Sequence, residues 1–253
     1  RLNTQATLEA LKGFSAVVLA SGVRPRRLDL PGSEHPSVLS YPEAIRHPER
    51  VGPRVAIIGA GGIGFDVAEL LTHGAQEGAS DQAAEQVAGQ DSDQVSDKSW
   101  DPGSQQALGD WCREWGVDLS AHEGAGLTAA QRPPVTRRVT LLQRKASKPG
   151  KGLGTSTGWV HRASLRHRGV ETLAGCEYLS IDDAGLHVRV AGEPRLLEVD
   201  SIVVCAGQEP VRELFAPLEA AGVAVHLIGG ADEAAELDAK RAIDQGTRLA
   251  ARL

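Results

Sequence analysis

Gly59-Ala60-Gly61-Gly62-Ile63-Gly64 follows an apolar run, Arg54–Ile58, and opens an amphipathic one, Ile63–Thr72. Glycines at this spacing are a weak signal alone, because glycine is common in turns. Between a strand and a helix they acquire a mechanism. Gly59 permits a tight turn, Gly61 with Gly62 beside it lets a pyrophosphate reach the backbone, and Gly64 lets the helix pack closely on the strand. The helix N-terminus adds partial positive charge.

In such a unit the next strand normally ends in an acid that holds a ribose hydroxyl. Here that strand end reads Leu142-Gln143-Arg144-Lys145, and Arg144 lies 80 residues after Gly64. A guanidinium pairs bidentately with a 2′-phosphate, which a carboxylate would repel. Arg144 and Lys145 therefore favour NADPH over NADH; the alternative is a solvated basic loop. The following segment, 146–159, carries Lys148, Lys151 and several glycines, and leads into a helix start with Trp159 and His161. It reads either as a flexible surface loop or as a flap whose Trp159 can pack on a flat ring.

The remaining polar residues offer less. The eight histidines form no HExxH pattern, and no Ser/His/Asp or paired-carboxylate set follows from spacing. Cys112, Cys176 and Cys205 are far apart with no CxxC, so a redox dithiol, zinc site or iron–sulfur cluster has no ligand set. No catalytic residue is assigned to this chain, and any redox chemistry belongs to cofactors.

The elements that must position these residues alternate. Ala16–Ala20, Arg54–Ile58, Val139–Gln143 and Ser201–Cys205 are short and apolar on both faces, as in helix-covered parallel sheets. Ile63–Thr72 and Thr157–Arg168 read as helices, and Leu108–Trp115 as a shorter amphipathic one. From Val170 to Val199 the pattern becomes that of an antiparallel meander. The predicted class is α/β, Rossmann-like. Residues 16–25 (AVVLASGVRP) and 201–210 (SIVVCAGQEP) form a weak repeat. They are either unrelated strand ends or the ends of two related nucleotide-binding units.

The net charge is −6, yet residues 74–110 alone carry −7. Residues 74–106 are polar, acidic and poor in large apolar side chains, so they read as a solvated insertion. The overall acidity argues against a nucleic-acid surface. No run is long enough to span a bilayer, and a reduced, cytoplasmic setting is expected. A chain of 253 residues without methionine suggests a piece of something longer.

Four segments carry a resemblance: ASGVRPR at 20–26, VAIIGAGGIGFD at 55–66, QRKASKPGKGLGTSTGW at 143–159 and HLIGGADEAAELDAKRAIDQGTRL at 226–249. They closely resemble the C-terminal part of bacterial NADPH-dependent 2,4-dienoyl-CoA reductases, over essentially the whole chain. The resemblance implies two dinucleotide-binding domains, with an NADPH domain at 51–207 inserted in an incomplete FAD domain at 1–50 and 208–253. Gly59, Gly61, Gly62 and Gly64 would hold the NADPH pyrophosphate, and Arg144 and Lys145 its 2′-phosphate. Lys148 and Trp159 would lie near the substrate or nicotinamide. Gly22, Gly229, Gly230, Asp244 and Gly246 would approach the FAD. Where a related flavoprotein has Ile-Gly-Asp, this chain has Ile228-Gly229-Gly230.

The same resemblance implies that FMN, a 4Fe-4S cluster and the acyl-CoA substrate belong to an N-terminal barrel without counterpart in these residues. This chain would then be the electron-input part of an enzyme of unsaturated fatty acid β-oxidation, inactive on the thioester alone. Two other readings stay open: part of a related enone or amine oxidoreductase, or a nucleotide-binding module without turnover.

Overall fold

Short β-rich runs separated by glycine turns and amphipathic helices fold into a layered α/β arrangement. The computed structural model describes residues 2–72, 102–121, 124–132, 134–235 and 239–253, with backbone alone at 102–107. The first elements are α1 (Leu8–Leu11), β1 (Ala16–Leu19), β2 (Val23–Pro25), β3 (Val38–Ser40), α2 (Tyr41–Arg46), β4 (Arg54–Ile58) and α3 (Gly62–Thr72). Then come α4 (Pro102–Trp115), β5 (Arg138–Leu142), α5 (Gly158–His167), β6 (Glu171–Leu173), β7 (Cys176–Asp182), β8 (Gly185–Val190) and β9 (Glu193–Leu197). The last are β10 (Ser201–Val204), β11 (Gln208–Pro210), α6 (Phe215–Ala220), β12 (Ala224–Leu227) and α7 (Ala239–Ala250). Among the described residues, no helix is long and apolar enough to cross a membrane.

The chain divides into two units, 30–203 and 1–29 with 204–253. The larger unit begins before β3, which joins its sheet. That sheet has the order β3-β10-β4-β5-β6. β4 and β5 are parallel, as are β5 and β6. Val55, Ile57, Ile58, Leu141, Leu142, Ile202 and Val203 are buried in it, with Phe65, Leu71 and Leu165 from the helices. Asp200 ties β10 to β4: its carboxylate accepts from the Arg54 backbone N–H at 2.9 Å, Nε at 3.0 Å and Nη2 at 2.6 Å. Arg54 holds the Asp200 carboxyl below the usual carboxylate range. The Arg137 guanidinium donates to the carbonyls of Pro48, Val51 and Leu71, at 2.8, 3.2 and 3.4 Å. It thereby ties together three segments, including the C-terminal turn of α3.

β7, β8 and β9 form the expected antiparallel meander. Residues 171–173 do not belong to it; as β6 they extend the parallel sheet beside β5. The helix placed at 108–115 begins earlier, at Pro102, a residue suited to a first helical turn. Of the stretch 74–106, residues 74–101 lie outside the described residues.

In the smaller unit, β1 and β12 pair in parallel, with Ala16 opposite Ala224 and Leu19 opposite Leu227. Val17, Leu19, Leu218 and Val223 form its core. β2 and β11 pair antiparallel, Val23 opposite Pro210 and Pro25 opposite Gln208. The closing residues of the two sequence repeats are therefore hydrogen-bonded to each other.

Candidate functional site

In the larger unit, β4 and β5 run in register, with Ile58 opposite Leu142. The glycine turn and Gln143-Arg144-Lys145 consequently leave the sheet side by side. The Gly59 N–H donates to the Leu142 carbonyl at 2.8 Å, fixing the turn to the end of β5. Gly59 has φ +115°, a conformation that glycine adopts without strain. A Cβ on Gly64 would fall 1.8 Å from the Gly59 carbonyl oxygen, so the helix start and the turn touch backbone to backbone. A Cβ on Gly61 or Gly62 would meet nothing within 4 Å. Both glycines are exposed at the N-terminus of α3, which leaves room for a pyrophosphate where the helix end carries partial positive charge.

Arg144 and Lys145 are both exposed. Their backbone is not loose. The Gln143 side chain donates to the Lys145 carbonyl at 2.9 Å and to that of Ser147, while the Gly175 N–H also donates to Lys145 at 3.1 Å. Tyr178 lies close enough to Arg144 to feel its charge. Burial pushes the Tyr178 phenol well above its ordinary range, against a smaller opposing effect of Arg144.

The loop after Lys145 returns to the glycine turn. The Gly150 N–H donates to the Ala60 carbonyl at 3.3 Å, and Arg162 Nη1 donates to the Gly150 carbonyl at 3.0 Å. Gly150 has φ +73° and stands over Phe65, where a Cβ would lie 2.7 Å from Cζ. Residue spacing alone did not single out Gly150. Lys148 is exposed and borders a cavity of about 120 Å³ with Phe65, Arg162 and Leu165. Trp159, in the first turn of α5, is 64% exposed.

The smaller unit gathers Gly22, Gly229 and Gly230 at the ends of its parallel pair. A Cβ on Gly230 would lie 2.8 Å from Val23 Cγ1 and 3.1 Å from the Gly22 carbonyl carbon. The Gly229 N–H donates to Gln245 Oε1 at 2.6 Å, and Gln245 Nε2 donates to Asp232 at 2.8 Å. Gln245 thus links α7 to the glycine pair and engages the nearest acid, a role that the sequence reading missed. Asp244 points elsewhere: Arg248 Nε donates to its two carboxylate oxygens at 2.8 and 2.9 Å. Gly246 faces Ile228, but a Cβ there would make an ordinary 3.7 Å contact. The three cysteines are free thiols. Burial pushes the Cys205 thiol up to about 12.

Comparison with known proteins bears on both units. The model of a family described as pyridine nucleotide-disulphide oxidoreductase matches residues 4–236. A metal reductase of Desulforamulus reducens is 24% identical over 218 residues, covering 86% of this chain and 28% of that protein. Among solved structures, a 2-naphthoyl-CoA reductase in complex with 2-naphthoyl-CoA aligns with TM-score 0.67 and 18% identity, over 100% of this chain and 29% of its own. Histamine dehydrogenase from Rhizobium sp. 4-9 aligns with TM-score 0.62 and 18% identity, over 99% and 32%. The chain therefore spans about 30% of the length of these proteins. At such identities the structural likeness establishes the α/β nucleotide-binding fold.

Proposed function

Because the chain belongs to the pyridine nucleotide-disulphide oxidoreductase family, a family of FAD- and NAD(P)H-binding enzymes, we propose that residues 30–203 bind NADPH to deliver electrons to a flavin. The parent activity we infer is reduction of a 2,4-dienoyl-CoA thioester, whose own site lies on a further domain with FMN and an iron–sulfur cluster. The observation that carries the nucleotide assignment is the register of Ile58 with Leu142, which sets the glycine turn beside Arg144 and Lys145. In this reading the exposed turn at Gly61 and Gly62 takes the pyrophosphate, and Arg144 with Lys145 the 2′-phosphate. Lys148 and Trp159 flank the reactive end.

Gly22, Gly229 and Gly230 fit the approach of a flavin, and Gln245 holds the Gly229 amide in place. The carboxylate grip usual at that point is replaced by an Asp232–Gln245 pair. When bound, NADPH supplies a hydride and FAD accepts it; the residues of this chain bind and orient. Support for a thioester substrate comes from the long 143–159 and 226–249 segments. The name of the 2-naphthoyl-CoA reductase, itself an acyl-CoA enzyme, points the same way.

The test is calorimetric titration of NADPH and NADH into the wild type and Arg144→Ala. A charge-assisted bidentate contact is worth about 1.5–3 kcal/mol, so a preference for NADPH of about tenfold or more is expected. The variant should lose most of it. Equal affinity for both nucleotides in the wild type would overturn the assignment. In the full-length enzyme, NADPH oxidation dependent on 2,4-dienoyl-CoA tests the substrate; turnover with an amine instead would replace it.

A further inference from the structure

A second cluster in the larger unit begins two residues after Gly64, on α3. Asp66 and Glu69 are three residues apart on α3 and share a face. His161, in the first turn of α5, meets them there: its Nδ1 is 3.2 Å from Glu69 Oε2. One ligand atom from each of Asp66, Glu69 and His161 lies within 4.8 Å of the other two. Ser164, on the next turn of α5, is buried and donates to the other oxygen, Glu69 Oε1, at 2.6 Å.

From these distances we propose that Asp66, Glu69 and His161 form a three-ligand site for a first-row divalent cation, with Zn²⁺ as its best-matched occupant. Metal–ligand bonds of about 2.0–2.2 Å in a tetrahedral zinc site set neighbouring ligand atoms about 3.3–3.6 Å apart. The observed Glu69–His161 separation is already 3.2 Å. Asp66 is exposed, with a carboxylate oxygen within 4.8 Å of the ligand atoms of Glu69 and His161. Two carboxylates and one imidazole balance a dication in charge. A nitrogen ligand among the oxygens selects zinc-like ions over calcium or magnesium, which prefer oxygen-only sets. Ser164 does what an outer-shell group does at such sites, fixing one carboxylate oxygen so that the other faces the ion. Three protein ligands leave a further position for water or an incoming group. The bound ion would clip α3, which begins at the glycine turn, to α5, which begins at Trp159.

Spacing concealed this set, because His161 lies 92 residues after Glu69 in the chain. The proposal does not depend on the nucleotide assignment, and its readout is metal binding alone.

The experiment is titration of Zn²⁺ into metal-free, untagged protein by calorimetry. Co²⁺ serves as a spectroscopic probe whose visible bands report low coordination with nitrogen and oxygen ligands. One ion per chain is expected at this site. His161→Ala and Asp66→Asn should each weaken it by tenfold or more, and Ser164→Ala, which keeps every ligand, by about 10–100-fold. His187→Ala should leave affinity unchanged, since His187 pairs with Asp182 on the meander instead. If His161→Ala does not fold, Asp66→Asn still decides, because its exposed side chain lies outside the α3–α5 hydrogen bonds described above. Absence of Zn²⁺ binding, or binding that neither Asp66→Asn nor His161→Ala alters, would overturn the proposal. The cluster would then be a helix-to-helix ion pair only.

Discussion

Gly64 stands so close to Gly59 that a methyl group on its α-carbon would sit 1.8 Å from the Gly59 carbonyl oxygen. Gly61, three residues before Gly64, has no such neighbour. Two alanine substitutions in one turn therefore separate packing from binding. Gly64→Ala should destabilise the larger unit by about 2–4 kcal/mol, because backbone must move to admit the methyl. Gly61→Ala should leave the thermal midpoint nearly unchanged but weaken NADPH about tenfold or more, since its methyl would occupy the space of the pyrophosphate. Thermal unfolding and nucleotide titration of both variants check this. A Gly61→Ala protein with wild-type affinity would contradict it.

Arg137 should matter to stability out of proportion to its position at the edge of a strand. Removing it takes a donor from the carbonyls of Val51, Leu71 and Pro48, of which Pro48 keeps the Val51 N–H. The expected cost of Arg137→Ala is about 2–3 kcal/mol, seen as a lower urea midpoint. Arg137→Lys should restore little, since one ammonium cannot reproduce the spread of a guanidinium.

The Arg54–Asp200 contact predicts a pH dependence with a definite sign. The Asp200 carboxyl is held below its ordinary value by the Arg54 side chain. Its contribution to stability is therefore full above the unfolded carboxylate range near about pH 4 and fades as pH falls through the lower folded value. Asp200→Asn should be less stable than wild type at neutral pH, with the gap closing under acid. Urea unfolding at several pH values measures it. A gap that widens on acidification would refute the assignment.

Cys205 should be nearly inert to alkylation. With its thiol raised to about 12, the thiolate fraction at mild alkaline pH falls more than about a hundredfold below that of a free cysteine. Mass-spectrometric timing of iodoacetamide labelling tests this, and a rate equal to that of glutathione would contradict it.

Local signals were legible where the chemistry is local. Arg54–Ile58 and Ser201–Cys205 read as buried strands because both faces are apolar, and the glycine turn stood out because its spacing is a steric requirement. Residues 171–173 misled, since a three-residue strand carries too little pattern to show which sheet it joins. Gln245, Gly150 and Arg137 were invisible for another reason. Each acts on partners that the fold brings near, and nothing in its neighbouring sequence records them. Asp66 and Glu69 show a helical spacing, but only the packing of α5 supplies His161.

The sheet order β3-β10-β4-β5-β6 has a consequence for the birth of the protein. β10, fully buried between β3 and β4, is the last of these strands to be translated. A ribosome can release the glycine turn, α3 and the β5 strand long before the slot beside β4 is filled. Until Val204 has emerged, β3 has no neighbour in the sheet and β4 keeps a bare, apolar edge. The larger unit is therefore expected to acquire protease resistance in a single late step. Arrested nascent chains ending before Ser201 should need chaperone cover, however complete their nucleotide loop.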